Sequence, residues 1–146
     1  MMIERRTLLG GGAAMVAGAV LARPAAGQEH RMTGMDMSMD DCIDMCIASN
    51  RMCLETANYA AKRGGALASP VMLAMLADCA ELCQTTANSM LRGSPLHQVL
   101  CRACAEVCAR CADECSRHGA DQQMVRCAET CRTCAEGCRT MGAMDH

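Results

Sequence analysis

A chain of 146 residues allows one compact domain with a short leader, not two independent cores, and a net charge of −2 leaves no electrostatic footprint for nucleic acid. Fourteen cysteines put thiol chemistry at the centre, while a single tyrosine with no tryptophan or phenylalanine excludes the aromatic platforms on which bases or planar ligands stack. Ala, Met, Leu and Cys must fill the core.

Residues 1–27 read as a targeting segment: Arg5-Arg6, an apolar run from Leu8 to Ala22, then Arg23 and small residues up to a cleavage region near Gly27. The stretch from Glu4 to Leu9 resembles a twin-arginine export signal, which implies a folded protein delivered to the periplasm. The run is shorter than the ~20 apolar residues of a membrane span, so no span is expected in the mature chain. Loss of the leader removes three basic residues and one acidic residue, which makes the mature chain mildly acidic at −4. Residues 28–39 follow as a Met- and His-rich stretch, predicted to be a mobile arm.

Ser38 and Asp41 form a capping pair, and helical periodicity then holds to Arg63, where Gly64-Gly65 ends it. Ser69-Pro70 sets a capping hydroxyl before a first-turn proline and opens a second helix to Arg92, stopped by Gly93. Ser94-Pro95 repeats the device for a third helix ending near His118-Gly119, and Asp121 caps a fourth that runs to about Met141-Gly142. Short connections turn each helix back on the one before. Residues 40–146 are therefore predicted to form an all-α, antiparallel up-down four-helix bundle with cysteines lining the core.

The inward faces follow from the period. In the third helix Cys101, Cys104, Cys108, Cys111 and Cys115 step by three and four, as do Cys127, Cys131, Cys134 and Cys138 in the fourth. These are heptad seam positions, normally held by Leu or Ile. Met72, Leu76, Cys79, Cys83, Thr86 and Met90 continue the scheme in the second helix, and Cys42, Cys46, Ser49 and Cys53 in the first.

Side chains three or four residues apart on a helix have Cβ atoms about 5–6 Å apart, too far for a disulfide but suited to a metal whose bonds to sulfur are ~2.3 Å. Cys-x-x-Cys and Cys-x-x-x-Cys are thus expected to act as two-residue clips. Burying many thiolates requires nearby cations, and a monovalent soft ion shared by bridging thiolates leaves the core nearly neutral where a divalent ion would not. Copper(I) meets both demands. Cys53 has no cysteine three or four residues away and is expected to reach a neighbouring helix. Three alternatives compete with it: a bundle stapled by disulfides, metallothionein-like buffering of zinc or cadmium, and a thiol-disulfide redox protein. Successive thiols in unbroken seams, without the βαβ context of a redox Cys-x-x-Cys, favour metal binding without catalysis.

The up-down path gathers His30, Met32, Met35, Met37, Met39, Met90, His97, Met141, Met144 and His146 at one end of the bundle, a candidate metal entrance of weaker ligands. Met45, Met52, Met72, Met75 and Met124 are read as packing residues, and His118 as a helix terminus at the other end.

These cysteine runs, with the Cys-x-x-x-Cys pairs at Cys42/Cys46 and Cys79/Cys83, resemble the bacterial copper storage proteins, and the leader resembles their exported branch. The resemblance implies ligand status for all fourteen cysteines, an entrance role for nearby Met and His, multiple copper(I) ions per chain and a homotetramer. It also fits a copper-requiring enzyme as the recipient of the metal.

Overall fold

The computed structural model describes residues 37–144, so the leader, most of the arm, and His146 lie outside the described residues. The fold is all-α: α1 (Met39–Arg63), α2 (Pro70–Leu91), α3 (His97–Ser116) and α4 (Gln122–Ala143), with no strand among the described residues. Each helix packs on its two neighbours in the ring α1, α2, α3, α4. Cys42 near the start of α1 meets Cys138 near the end of α4, and Cys83 late in α2 meets Cys104 early in α3, which gives the antiparallel up-down course.

Most helix boundaries follow from local chemistry. Ser38 accepts from the backbone N–H of Asp41, and the Asp41 carboxylate accepts from the N–H of Ser38, a complete capping box at the head of α1. Acidic Asp40 and Asp41 in the first turn and basic Lys62 and Arg63 in the last complement the helix dipole. Gly64 then adopts φ 73°, a left-handed region that favours glycine, and a short 3-10 turn over Gly65–Ala68 leads to the next cap. Ser69 accepts from the N–H of Met72 with Pro70 in the first turn, and Asp121 accepts from the N–H groups of Gln123 and Met124.

The third connection differs from expectation. α3 begins at His97 rather than at Pro95, and Ser94 does not cap it. The Ser94 hydroxyl accepts from Leu96 N–H and the Ser94 carbonyl accepts from His97 N–H, so Ser94-Pro95 builds a tight turn and the helix starts after it.

The core is one continuous cluster of Cys, Ala, Met, Leu and Ile. Alanines follow cysteines at seven-residue spacing, as in Cys104-Ala105 and Cys111-Ala112 on α3 or Cys127-Ala128 and Cys134-Ala135 on α4, and all are buried. Small side chains beside the seam let the helices approach, which draws the thiols together. Where α1 ends and α2 begins, Ala60, Met72, Leu76 and Met124 are fully buried and close the bundle with apolar packing. No helix among the described residues is long and apolar enough to cross a membrane.

Candidate metal centre

All fourteen cysteines are free and buried, none more than 1% exposed. The seam assignments hold throughout: Ser49, Thr86, Met72, Leu76 and Met90 are buried with the thiols. Five groups form in which every Sγ lies within 4.8 Å of the others: Cys42/Cys101/Cys138, Cys46/Cys104/Cys134/Cys138, Cys83/Cys104/Cys108/Cys134, Cys53/Cys79/Cys111/Cys131 and Cys111/Cys115/Cys127. Together they include every cysteine of the chain. A soft ion with bonds near ~2.3 Å fits between sulfurs at these separations.

The thiols meet mainly across helices. The shortest contacts are Cys83–Cys108 at 3.3 Å, Cys46–Cys138 at 3.4 Å and Cys53–Cys131 at 3.5 Å. Cys104–Cys108 at 3.8 Å is a close pair within one helix. This revises the expectation of same-helix clips. Cys104/Cys108, Cys111/Cys115 and Cys134/Cys138 share a group, but Cys101/Cys104, Cys108/Cys111 and Cys131/Cys134 do not, and Cys42/Cys46, Cys79/Cys83 and Cys127/Cys131 are also split. Residues three apart diverge by ~60° around the axis while those four apart diverge by ~40° at a rise of ~6 Å, so a facing helix is often the nearer neighbour. Cys53 reaches across to α2, α3 and α4, as its isolation in the sequence requires.

Burial pushes every thiol towards its neutral form, and sulfur–sulfur hydrogen bonds then select where charge is held. Hydrogen bonding from Cys101 holds Cys42 low, bonding from Cys108 holds Cys79 and Cys104 low, and bonding from Cys111 holds Cys127 low. Each of the five groups contains one of these four residues. The other ten are raised. Cys101 is pulled down by Cys138, but its bond with Cys42 and its burial outweigh that and push it up to about 12. Cys115 is likewise pulled down by Cys111 and pushed up to about 12 by Cys127 and burial. A group of this kind pairs one thiol that gives up its proton more readily with others that give theirs up only to bind an arriving cation.

At the end of the bundle where α1 starts, the candidate entrance residues are only partly gathered. Met90 lies 3.9 Å from Cys101, with Cys101 Sγ donating to its thioether. His97 is buried one turn before Cys101, its Nδ1 2.8 Å from the Ser94 carbonyl, and Met141 is buried one turn beyond Cys138. Met37, Met39 and Met144 pack partly buried against the core, and Met39 is already the first residue of α1. His30, Met32, Met35 and His146 lie outside the described residues. Met37 packs against α4: its sulfur and that of Met45 would sit 3.0 and 2.7 Å from a Cβ added at Gly137, so this glycine makes room for two thioethers. Sequence reasoning assigned Met45 to packing and gave Gly137 no role.

The chain matches the family described as copper storage protein over residues 28–143. It is similar to a crystallised protein of Nitrosospira multiformis, at 40% identity and TM-score 0.69, covering 73% of this chain and 96% of that one. A Cu(I)-bound copper storage protein from Bacillus subtilis is similar at 29% identity and TM-score 0.68, covering 71% and 97%. A cytosolic copper storage protein from Streptomyces lividans, loaded with five coppers, is similar at 30% identity and TM-score 0.64, covering 74% and 94%. No curated protein matches the chain.

Proposed function

This chain belongs to the copper storage protein family, and from that premise and the geometry of its core we propose that all fourteen cysteines are the ligands of its store. The protein binds and stores multiple copper(I) ions. The observation that carries the ligand assignment is that every cysteine belongs to at least one of five buried, partly overlapping groups with sulfurs within 4.8 Å. Thiolates select a soft ion, and a monovalent one sharing bridging sulfurs lets the core fill without accumulating charge.

Copper(I) enters at the end where α1 starts. Thioether and imidazole ligands there, Met90, His97 and Met141 within the bundle and Met37, Met39 and Met144 packed against its core, bind weakly enough to pass the ion inward by ligand exchange, and the sequence adds His30, Met32, Met35 and His146 as further candidates. Cys42, Cys101 and Cys138 form the first thiol group met from that end. The apolar closure by Leu76, Met72 and Met124 at the other end supports a single route. Storage needs no catalytic step, and the reading includes none.

The leader over residues 1–27 supports export by a twin-arginine route to the periplasm, with the domain beginning near residue 40. A homotetramer and a copper-requiring enzyme as recipient complete the proposal. Replacing Arg5 and Arg6 together with lysine is expected to leave the protein inside the cell, which fractionation and the mass of the recovered chain will register.

The decisive experiment loads reduced protein with copper(I) under anaerobic conditions beside a strong copper(I) chelator. Uptake of many ions per chain is expected. One or two equivalents would sink the assignment of fourteen ligands, and preferential retention of zinc in a mixed-metal competition would favour metallothionein-like buffering instead. Disulfide reductase activity of the metal-free protein would favour the redox reading.

A further inference from the structure

The five sulfur groups fall into two sets. Three on the entrance side are joined through shared members, Cys138 linking two of them and Cys104 with Cys134 linking two, while the two inner groups share Cys111. No cysteine belongs to both sets. The break falls at Ser49. On α1 the seam runs Cys42, Cys46, Ser49, Cys53, so a hydroxyl occupies the heptad position where the ladder would carry a thiol. Ser49 is fully buried, with Oγ 4.0 Å from Cys108 of the entrance set and 3.6 Å from Cys131 of the inner set. On the opposite side of the bundle, between α2 and α3, thiols still meet across the junction, Cys79 with Cys108 at 3.6 Å.

We infer that Ser49 divides the copper(I) store into two compartments that fill in sequence, an inference that rests on the storage reading above. A neutral hydroxyl is a hard donor and does not bridge copper(I) as a thiolate does. What it does is hydrogen-bond to sulfur, and its two partners are thiols on either side of the gap. A chain of thiolate-bridged ions running inward therefore loses its α1 anchor in this layer. Copper(I) arriving from the entrance saturates the outer set first and reaches the inner set by way of the Cys79–Cys108 contact. Emptying runs in the reverse order.

The test titrates the full mature chain with copper(I) anaerobically, alkylates the remaining free thiols at each increment, and maps them by mass spectrometry. In the native protein Cys101 and Cys104 are expected to become protected before Cys79 and Cys127. Ser49→Cys is expected to bind more copper per chain and to erase that order; Ser49→Ala is expected to keep the native capacity and order. Parallel protection of both sets in the native protein, an unchanged order in Ser49→Cys, or altered capacity in Ser49→Ala would each overturn the inference. Should Ser49→Cys fail to fold by circular dichroism, the native map decides alone. Failure to take up many ions at all would sink the storage reading itself, a different result from uptake without order.

Discussion

Leu76→Ala tests whether the far end of the bundle is a packed closure. Leu76 is fully buried one turn before Cys79, beside the equally buried Met72, Met124 and Ala60. Removing its isopropyl group deletes buried apolar surface and leaves a cavity among side chains held by four converging helices. Substitutions of this kind destabilise by about 2–5 kcal/mol. For a domain of this size that lowers the melting temperature on the order of 10–20 °C. Urea and thermal unfolding followed by far-ultraviolet circular dichroism suit a chain without tryptophan, and Val71→Ala, at a position 61% exposed on the same helix, serves as the control. Surface changes of that sort stay within roughly 0.5 kcal/mol. The functional arm loads both proteins with copper(I) and times its removal by an added chelator. The Leu76→Ala protein should surrender its inner copper faster, because the inner thiols then have a second route to solvent. A loss below ~1 kcal/mol, or a clear loss with no change in removal rate, would refute the closed-end reasoning.

Cys104 belongs to two sulfur groups and Cys115 to one, so Cys104→Ser should reduce copper capacity more than Cys115→Ser, read as metal per folded chain; equal losses would show that the groups do not act as units. The ten raised thiols are protonated at neutral pH, so copper(I) must displace at least their protons. Loading in weak buffer should acidify the solution by ten or more protons per saturated chain, and affinity should weaken as pH falls. Tyr59→Phe removes the 2.7 Å hydrogen bond that Tyr59 donates to Asp121, tying the end of α1 to the cap of α4. Asp121 is held below its ordinary value chiefly by that bond, so its contribution is present above the usual carboxylate range and is lost as pH falls through the depressed folded value. The melting difference between native and variant should therefore be largest near neutrality and vanish in acid.

Four helices and the identity of the inward faces were readable because both depend on neighbours in sequence. Ser38 with Asp41, Ser69 before Pro70, and Asp121 each cap the helix they announce, and steps of three and four keep one face inward for as long as the helix runs. Ser94-Pro95 carries the same letters as Ser69-Pro70 and behaves differently. The hydroxyl of Ser94 bonds to Leu96 N–H, whereas that of Ser69 reaches Met72 N–H, and nothing in the dipeptide distinguishes a turn from a cap. Which thiols group together was not readable. That depends on the axial register between helices, fixed by non-local packing such as the Asn50 amide donating to the Ala80 carbonyl at 2.8 Å. Shifting one helix by a turn would leave every seam intact and regroup every sulfur. The two-sided position of Ser49 and the seating of Met37 and Met45 on Gly137 depend on the same registers.

A store must keep its shape when empty as well as when full, and the choice of cysteine as core residue serves both conditions. A protonated thiol packs as a small hydrophobe, so the empty core remains one apolar cluster continuous with the Ala, Leu and Met closure at its far end. Helix caps, the alanines beside the seams and the buried closure involve no metal. Small metal-dependent domains lack such supports and unfold when stripped, because their ligand set is their core. Here the sulfurs of each group lie within 4.8 Å of one another, so binding exchanges protons for copper(I) within a framework that other residues hold in place. Each exchange of a proton for a monovalent ion leaves the charge of the core unchanged. That is why a divalent cargo would strain the same scaffold: two positive charges arriving at sites that release protons one thiol at a time require more thiolates per ion, and the shared sulfurs of neighbouring groups could not all satisfy it.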